Sequence, residues 1–88
     1  MNTYIKYYSL YKMGDIKLTK KMLRNGLVIK NKYDRYFYRV TNILTSNVLL
    51  TLIASERIVI YPEDSFYFGH KYLVSFKDIA KRYELYYE

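Results

Sequence analysis

Basic side chains are concentrated in the first part of this sequence, where their spacing suits contact with phosphate groups. Residues 1–39 contain ten lysines and arginines against two aspartates, a net charge of +8, whereas residues 40–88 carry −1. A one-sided basic surface attracts polyanions such as nucleic acid, although net charge also keeps a protein soluble. One group of cations comprises Lys17, Lys20, Lys21 and Arg24. Lys20 and Arg24 are i,i+4 neighbours in a predicted helix, and an anionic partner would relieve their mutual repulsion.

A second group of cations flanks an aromatic ring. Its members are Lys30, Lys32, Arg35 and Arg39, predicted to lie on a hairpin face around Phe37 and near Tyr33. Cations of this kind can follow the phosphates of a nucleic acid while an exposed ring stacks on a base. The same pattern is also typical of a solvated sheet edge, where lysines prevent aggregation. We expect the two groups together to form a nucleic-acid-binding surface.

Residues that could support catalysis or bind a metal are sparse. His70 is the only histidine, and none of the three glycines lies in a nucleophile elbow, a P-loop or a dinucleotide-binding motif. Glu63 and Asp64 are adjacent acids, but a hard cation needs more oxygen ligands than these two supply. The absence of cysteine excludes disulfides and thiolate metal sites. We therefore expect a protein that is not an enzyme and needs no cofactor or metal.

Two short helices are predicted to position part of this chemistry. The first spans residues 19–25 in about two turns, with Thr19 as N-cap and Gly26 in a left-handed C-terminal cap. Leu18 and Leu23 then occupy the positions of a hydrophobic staple. The second helix spans residues 76–83, and its start carries a capping-box pattern from Ser75 to Asp78.

The rest of the chain predicts short strands separated by turn residues. The predicted strands are residues 3–13, 27–32, 36–43, 48–53, 57–61 and 66–76, with a bulge or bend at Gly69. In the central strand, alternation places Tyr36, Tyr38 and Val40 on the core face. Phe37, Arg39 and Thr41 then lie on a face that meets solvent or a partner. Leu27 and Ile29 are predicted to pair with Tyr38 and Val40.

The predicted core draws on every later element. We expect Val40, Leu50, Val74 and Ile79 to be buried, and the apolar strand at 48–53 to be covered on both faces. Tyr72, Val74 and Phe76 are expected to face the core. The faces assigned to the two strands of the hairpin depend on their register, because a slip of one residue inverts every side chain.

The fold class predicted from these elements is α+β and mainly β, in a single domain over residues 1–88. A tyrosine-rich strand ending Val40-Thr41-Asn42-Ile43, an apolar strand, and a closing Leu73-Val74-Ser75-Phe76 follow one another. This order resembles the small SH3-like barrels over roughly residues 27–80, with residues 57–70 as an insertion. The prediction is therefore an SH3-like or OB-like curled antiparallel barrel with two short helices. The resemblance implies a nucleic-acid or protein partner.

Three functions are compatible with the sequence. The leading one is a non-enzymatic basic module that binds nucleic acid or a nucleoprotein. The second is a small phage or mobile-element inhibitor or adaptor that binds an acidic surface of a host protein, such as a nuclease complex. The third is a homo-oligomeric structural protein, such as a homodimer, because 51% hydrophobic residues in a small chain can exceed what one core buries. The longest apolar run is far below the roughly 20 residues that span a bilayer, so we expect a cytoplasmic protein without membrane contact.

Overall fold

The chain forms an antiparallel sheet with one α-helix in the residues that the computed structural model describes, 11–12, 17–55 and 68–87. The strands are β1 (Tyr11–Lys12), β2 (Val28–Asn31), β3 (Tyr36–Ile43), β4 (Asn47–Ser55), β5 (Lys71–Ser75) and β6 (Tyr83–Tyr87). A 3-10 helix (Lys20–Met22) precedes β2, and α1 (Phe76–Arg82) joins β5 to β6. The strand order across the sheet is β1-β6-β2-β3-β4-β5.

The mainly-β prediction is confirmed, but the predicted barrel closure is wrong. Within the described residues, β1 pairs only with β6 and β5 pairs only with β4, so the two ends of the sheet are not joined. A barrel needs a hydrogen-bonded ladder between its first and last strands. Two register shifts in the β3–β4 pair, at Phe37/Tyr38 and Val40/Asn42, bend the sheet locally without closing it.

The β2–β3 hairpin has the predicted pairing, with Ile29 opposite Tyr38. In its turn, side-chain oxygens accept hydrogen bonds from backbone N–H groups. The Asn31 Oδ1 accepts hydrogen bonds from the backbone N–H groups of Tyr33 and Asp34, at 2.8 and 3.1 Å. Asp34, the predicted turn former, accepts the Tyr36 N–H at 2.8 Å. Arg35 adopts a left-handed conformation with φ 65°, which completes the reversal.

The sheet is buried on both faces around β3. The main cluster includes Ile29, Tyr38, Val40, Leu50 and Ile79, together with Leu18, Leu23, Val48, Leu52 and Tyr83. Val40, Leu50 and Ile79 are at most 1% exposed, as predicted, and Val74 is half-buried against them. A second cluster on the opposite face contains Val28, Phe37, Ile53 and Ala54, with Tyr86 packed against it.

The second cluster overturns one predicted face. Phe37 was expected to meet solvent or a partner, but its ring is 0% exposed. Alternation along β3 was assigned correctly. However, the presence of Arg39 and Lys30 beside Phe37 favoured a solvated surface, whereas Val28 and the end of β4 supply apolar neighbours on that face. Periodicity separates two faces but does not reveal that both are covered.

The first predicted helix is shorter than expected. Only Lys20–Met22 is helical, in a 3-10 turn, and the Thr19 side chain makes no capping hydrogen bond. Leu18 and Leu23 are both buried in the main cluster, at 1% and 8% exposure. In an α-helix, residues five apart point about 140° away from each other, since successive residues rotate by about 100°. Extended backbone at Leu23 (ψ 131°) instead lets both leucines reach the same core.

The helix predicted at residues 76–83 is confirmed as α1. The Ser75 side chain accepts a hydrogen bond from the Asp78 N–H at 3.2 Å, which is the N-cap half of the predicted pattern. Tyr83 ends the helix and starts β6, a strand that was not predicted. β6 inserts between β1 and β2, with Leu85 opposite Ile29. No turn residue separates α1 from this strand, so the local spacing did not indicate where a strand begins.

The remaining strand predictions are met in part. Of the strand predicted at 66–76, Lys71–Ser75 form β5, and residues 66–67 lie outside the described residues. Phe68 and Gly69 form a turn before β5 in which Gly69 has φ 92°, so the predicted bend is present. Phe76 packs on the main cluster as expected, but Tyr72 is 41% exposed because β5 lies at the sheet edge. Of the strand predicted at residues 3–13, the structure describes only Tyr11–Lys12, which form β1. The strand at 57–61 and the Glu63-Asp64 pair lie outside the described residues.

Candidate nucleic-acid interface

Helix α1 carries exposed cations that sequence reasoning did not assign to the interface. Lys77 and Lys81 are both exposed and four residues apart, so they lie on one side of the helix. Arg82, also exposed, is the last residue of α1. The Ser75 cap fixes the start of this seven-residue helix, which is about 10 Å long.

The first predicted group of cations adjoins the start of α1. The Lys20 Nζ lies 4.5 Å from the centroid of the Phe76 ring, a cation–π contact. Lys17, Lys21 and Arg24 are exposed along the same segment. This contact places the 3-10 helix beside the N-terminus of α1.

Part of the second predicted group adjoins the other end of α1. The backbone N–H of Lys32 donates a hydrogen bond to the Arg82 carbonyl oxygen, at 2.7 Å. Lys32 and Arg35 are exposed in the β2–β3 turn, and the Tyr33 ring between them is 75% exposed. Asn31, Tyr33, Asp34 and Arg82 line a shallow cleft of about 460 Å³ at this end. The exposed ring in this part of the predicted surface is therefore Tyr33, which shares the cleft with Arg82 and with the carboxylate of Asp34.

Together these residues define a surface that we call the basic stripe. Its members are the exposed cations of three adjoining segments, the 3-10 helix, α1 and the β2–β3 turn: Lys20, Lys77, Lys81, Arg82, Lys32 and Arg35, with Tyr33 in the turn. Asp78 lies on the helix and Asp34 in the turn, so the cations outnumber the acids along this path. The stripe joins the two predicted groups through α1.

Three residues of the predicted surface are held away from the stripe. Phe37 is completely buried, and Lys30 is only 8% exposed. The Lys30 Nζ lies 5.9 Å from the Phe37 centroid and 5.8 Å from the Tyr86 centroid, and the two rings pack edge to face. Arg39 donates from Nη1 to the Gly26 carbonyl oxygen at 2.9 Å, at the opposite end of the hairpin from Tyr33. Lys30 and Arg39 thus contact the fold itself.

The sequence does contain a pattern that places two cations on one side of α1. Lys77 and Lys81 stand at i,i+4 in a helix that was predicted correctly. The excess of positive charge in residues 1–39 favoured an interface formed by the first half of the chain. Only the packing of Lys20 on Phe76 and the bond from Lys32 to Arg82 reveal that α1 joins the two groups.

A second candidate site lies on the face of the sheet that carries the main cluster. We call it the tyrosine groove; it is an open depression of about 490 Å³ lined by Asp34, Tyr36, Tyr38, Leu52, Tyr72 and Tyr83, with Leu73 and Val74 at its side. The Tyr38 hydroxyl donates to Asp34 Oδ2 at 2.8 Å. Burial, assisted by Asp34, raises the pKa of Tyr38 above its ordinary value of 10.0. Burial also raises the pKa of Tyr83, so both phenols stay protonated to a higher pH than an exposed tyrosine does.

Metal ligands are not brought together in the part of the chain that is described. No group of three or more histidine or acidic side chains comes together there as a set of metal ligands. His70 is exposed just before β5, and its backbone carbonyl accepts the Leu52 N–H at 2.9 Å. None of the described helices has the length and apolar character needed to cross a membrane.

Comparison with protein families, with curated proteins and with solved structures finds no match to this chain.

Proposed function

We propose that this chain is a non-enzymatic module that binds nucleic acid through the basic stripe, with a preference for single strands. The observation that supports the proposal is the exposed Tyr33 ring, which shares a cleft with Arg82 at one end of α1 and follows the exposed Lys32 in the turn. Cations neutralise phosphates and release counterions, while an exposed ring provides a stacking platform for an unpaired base. A paired base is already stacked within its duplex, so Tyr33 favours single strands.

The strand pattern supports the same proposal in a weaker way. The SH3-like or OB-like relationship predicted from the sequence stays a hypothesis, and small sheets of these types can present a nucleic-acid surface. A nucleoprotein would offer the stripe the same phosphates as free nucleic acid. The protein therefore needs neither a cofactor nor a catalytic residue for this function.

The salt dependence of binding tests the proposal. If four to six phosphates of a single strand are contacted, the slope of log K against log salt is roughly −3 to −4, at about −0.7 for each phosphate. Replacing Lys20, Lys77 and Lys81 together by glutamine should flatten that slope by up to about 2 units. Fluorescence anisotropy with a labelled oligonucleotide between about 50 and 200 mM salt measures both slopes.

A matched control separates the stripe from overall charge. Lys71→Gln and Lys81→Gln each remove one exposed lysine, but Lys71 lies at the end of β5 that is remote from α1. The proposal requires that only Lys81→Gln changes the slope. Equal effects of the two variants would indicate non-specific attraction to a basic protein, and no binding at low salt would reject the function.

Contact with another protein is the second candidate function. Leu73 is 59% exposed and Tyr72 is 41% exposed on β5, which leaves apolar surface at the sheet edge. Such a surface would suit the predicted inhibitor or adaptor, or a homo-oligomer. Light scattering at several protein concentrations tests the oligomer, because self-association raises the apparent mass with concentration.

A further inference from the structure

We propose that the tyrosine groove binds a cationic side chain, an alkylammonium or guanidinium group, presented by a partner protein. The inference does not depend on the basic stripe or on nucleic-acid binding. It rests on the arrangement of three rings, on the fixed carboxylate of Asp34, and on the absence of lysine and arginine from the described lining of the groove.

The rings of the groove meet nearly at right angles. The Tyr72 ring is 6.0 Å from the Tyr38 ring at an interplanar angle of 89°, and the Tyr83 ring is 5.8 Å from Tyr38 at 71°. Tyr72 is 41% exposed, so part of this arrangement opens to solvent. A cation is attracted to the negative face of an aromatic ring within about 6 Å of its centroid. Tyr38 and Tyr83 are each 6% exposed, so the ring that a bound cation would meet directly is Tyr72.

Asp34 supplies the matching negative charge. Its Oδ1 accepts the Tyr36 N–H and its Oδ2 accepts the Tyr38 hydroxyl, each at 2.8 Å, so the carboxylate is fixed at the wall of the groove. Each oxygen retains further acceptor capacity for a bound cation. Leu52 and the tyrosine rings make most of the remaining lining apolar. Opposite charges attract, so the fixed carboxylate favours a cationic occupant of the groove.

Titration with a minimal cation tests the site. The probe is tetramethylammonium, and tert-butanol is an uncharged control of similar shape. We expect tetramethylammonium to perturb the NMR signals of the Tyr38, Tyr72 and Tyr83 rings in a saturable manner, while tert-butanol causes weaker changes. Saturable perturbation by both probes with equal affinity would show simple apolar binding and overturn the proposal.

Substitutions at the exposed edge of the groove leave the core intact. Tyr72→Leu should weaken tetramethylammonium binding about fivefold, since one cation–π contact at a partly exposed site contributes about 1 kcal/mol. Tyr72→Phe keeps the ring face and should bind as the unchanged protein does. Asp34→Asn should also weaken binding, with amide spectra showing that the turn is retained. Equal binding by Tyr72→Leu would exclude a role for the ring.

A nucleobase is the alternative occupant, and the same spectra distinguish it. Uncharged adenosine should leave the three tyrosine rings unaffected. Perturbation of these rings by adenosine but not by tetramethylammonium would overturn the proposal and assign the groove to bases. Failure of the groove to bind tetramethylammonium would leave the salt-slope test of the basic stripe unchanged, so the two proposals fail separately.

Discussion

The Lys20 ammonium lies over the Phe76 ring, 4.5 Å from its centroid, and so connects the loop before β2 to the start of α1. At the other end of the helix, the Lys32 N–H binds the Arg82 carbonyl. These two contacts hold α1 between segments that are more than forty residues away in the sequence. The arrangement of the cations in the basic stripe therefore depends on whether a helix of only seven residues is folded.

The cap of α1 should control both stability and binding. Ser75→Ala removes the acceptor of the Asp78 N–H, and loss of such a cap costs about 1 kcal/mol. Urea unfolding followed by circular dichroism measures this cost, and Ser75→Asp restores an acceptor as the matched control. Oligonucleotide affinity should fall in Ser75→Ala and recover in Ser75→Asp. Full affinity in Ser75→Ala would mean that the stripe does not require an ordered α1.

Phe37 should contribute to stability and not to binding. Its ring is 0% exposed, so Phe37→Ala leaves a cavity and should cost about 3–5 kcal/mol. That loss approaches the whole stability of a domain of this size, roughly 4–13 kcal/mol. Phe37→Leu conserves more volume and should cost about 1.5 kcal/mol or less. Oligonucleotide binding by the folded Phe37→Leu protein should equal that of the unchanged chain, and a tenfold loss there would contradict the burial of the ring.

The contrast between Phe37 and Tyr33 shows how far the sequence could predict the interface. The turn at Asn31–Arg35, the pairing of Ile29 with Tyr38, and the start of α1 at Ser75 all follow from local chemistry, and the structure has them. Which face of β3 meets solvent depends on residues distant in the chain. The apolar neighbours that cover Phe37 come from Ile53 and Ala54 at the end of β4 and from Tyr86 of β6.

The strand β6 was not predicted, for a similar physical reason. Tyr83–Tyr87 has no turn residue before it, because α1 leads directly into the strand at Tyr83. Its partners are β1 and β2, both from the first part of the chain. Local spacing cannot reveal a pairing between the two ends of a sequence. The tyrosine groove was missed for the same reason, since its rings come from β3, β5 and β6.

The buried phenol of Tyr38 should make stability depend on alkaline pH. Burial and the hydrogen bond to Asp34 raise the pKa of Tyr38 above 10.0 in the folded state. The unfolded chain then releases this proton first, so the stabilisation is complete below about pH 10 and is lost as pH rises further. Tyr38→Phe removes the titrating group. Its stability should therefore fall less between pH 9 and pH 11 than that of the unchanged chain, in urea titrations at each pH.

A surface hydroxyl provides the control for this measurement. Tyr33→Phe also removes one phenol, but from a ring that is 75% exposed. Its pH profile should follow that of the unchanged chain. Identical profiles for Tyr38→Phe and the unchanged chain would show that Tyr38 does not carry the alkaline loss of stability, and Tyr83 would then be the next phenol to test, because burial raises its pKa as well.

Tyr33 should act as the stacking residue of the interface. Tyr33→Ala removes an exposed ring that lies next to Lys32 and Arg82 and should weaken single-strand binding by about 1–3 kcal/mol. Because the site is on the surface, the free energy of unfolding should change by less than about 0.5 kcal/mol. Stacking releases no counterions, so the slope of log K against log salt should stay the same, unlike the effect of the lysine substitutions.

The aromatic face of Tyr33 and its hydroxyl can be tested separately. Tyr33→Phe keeps the aromatic face and should retain the affinity of the unchanged chain, whereas a fall equal to that of Tyr33→Ala would assign the effect to the hydroxyl. Duplex binding should be nearly insensitive to Tyr33→Ala, because paired bases are already stacked. Equal losses for single strands and duplexes would mean that Tyr33 contacts the sugar–phosphate backbone, and binding would then depend on the stripe cations without base stacking.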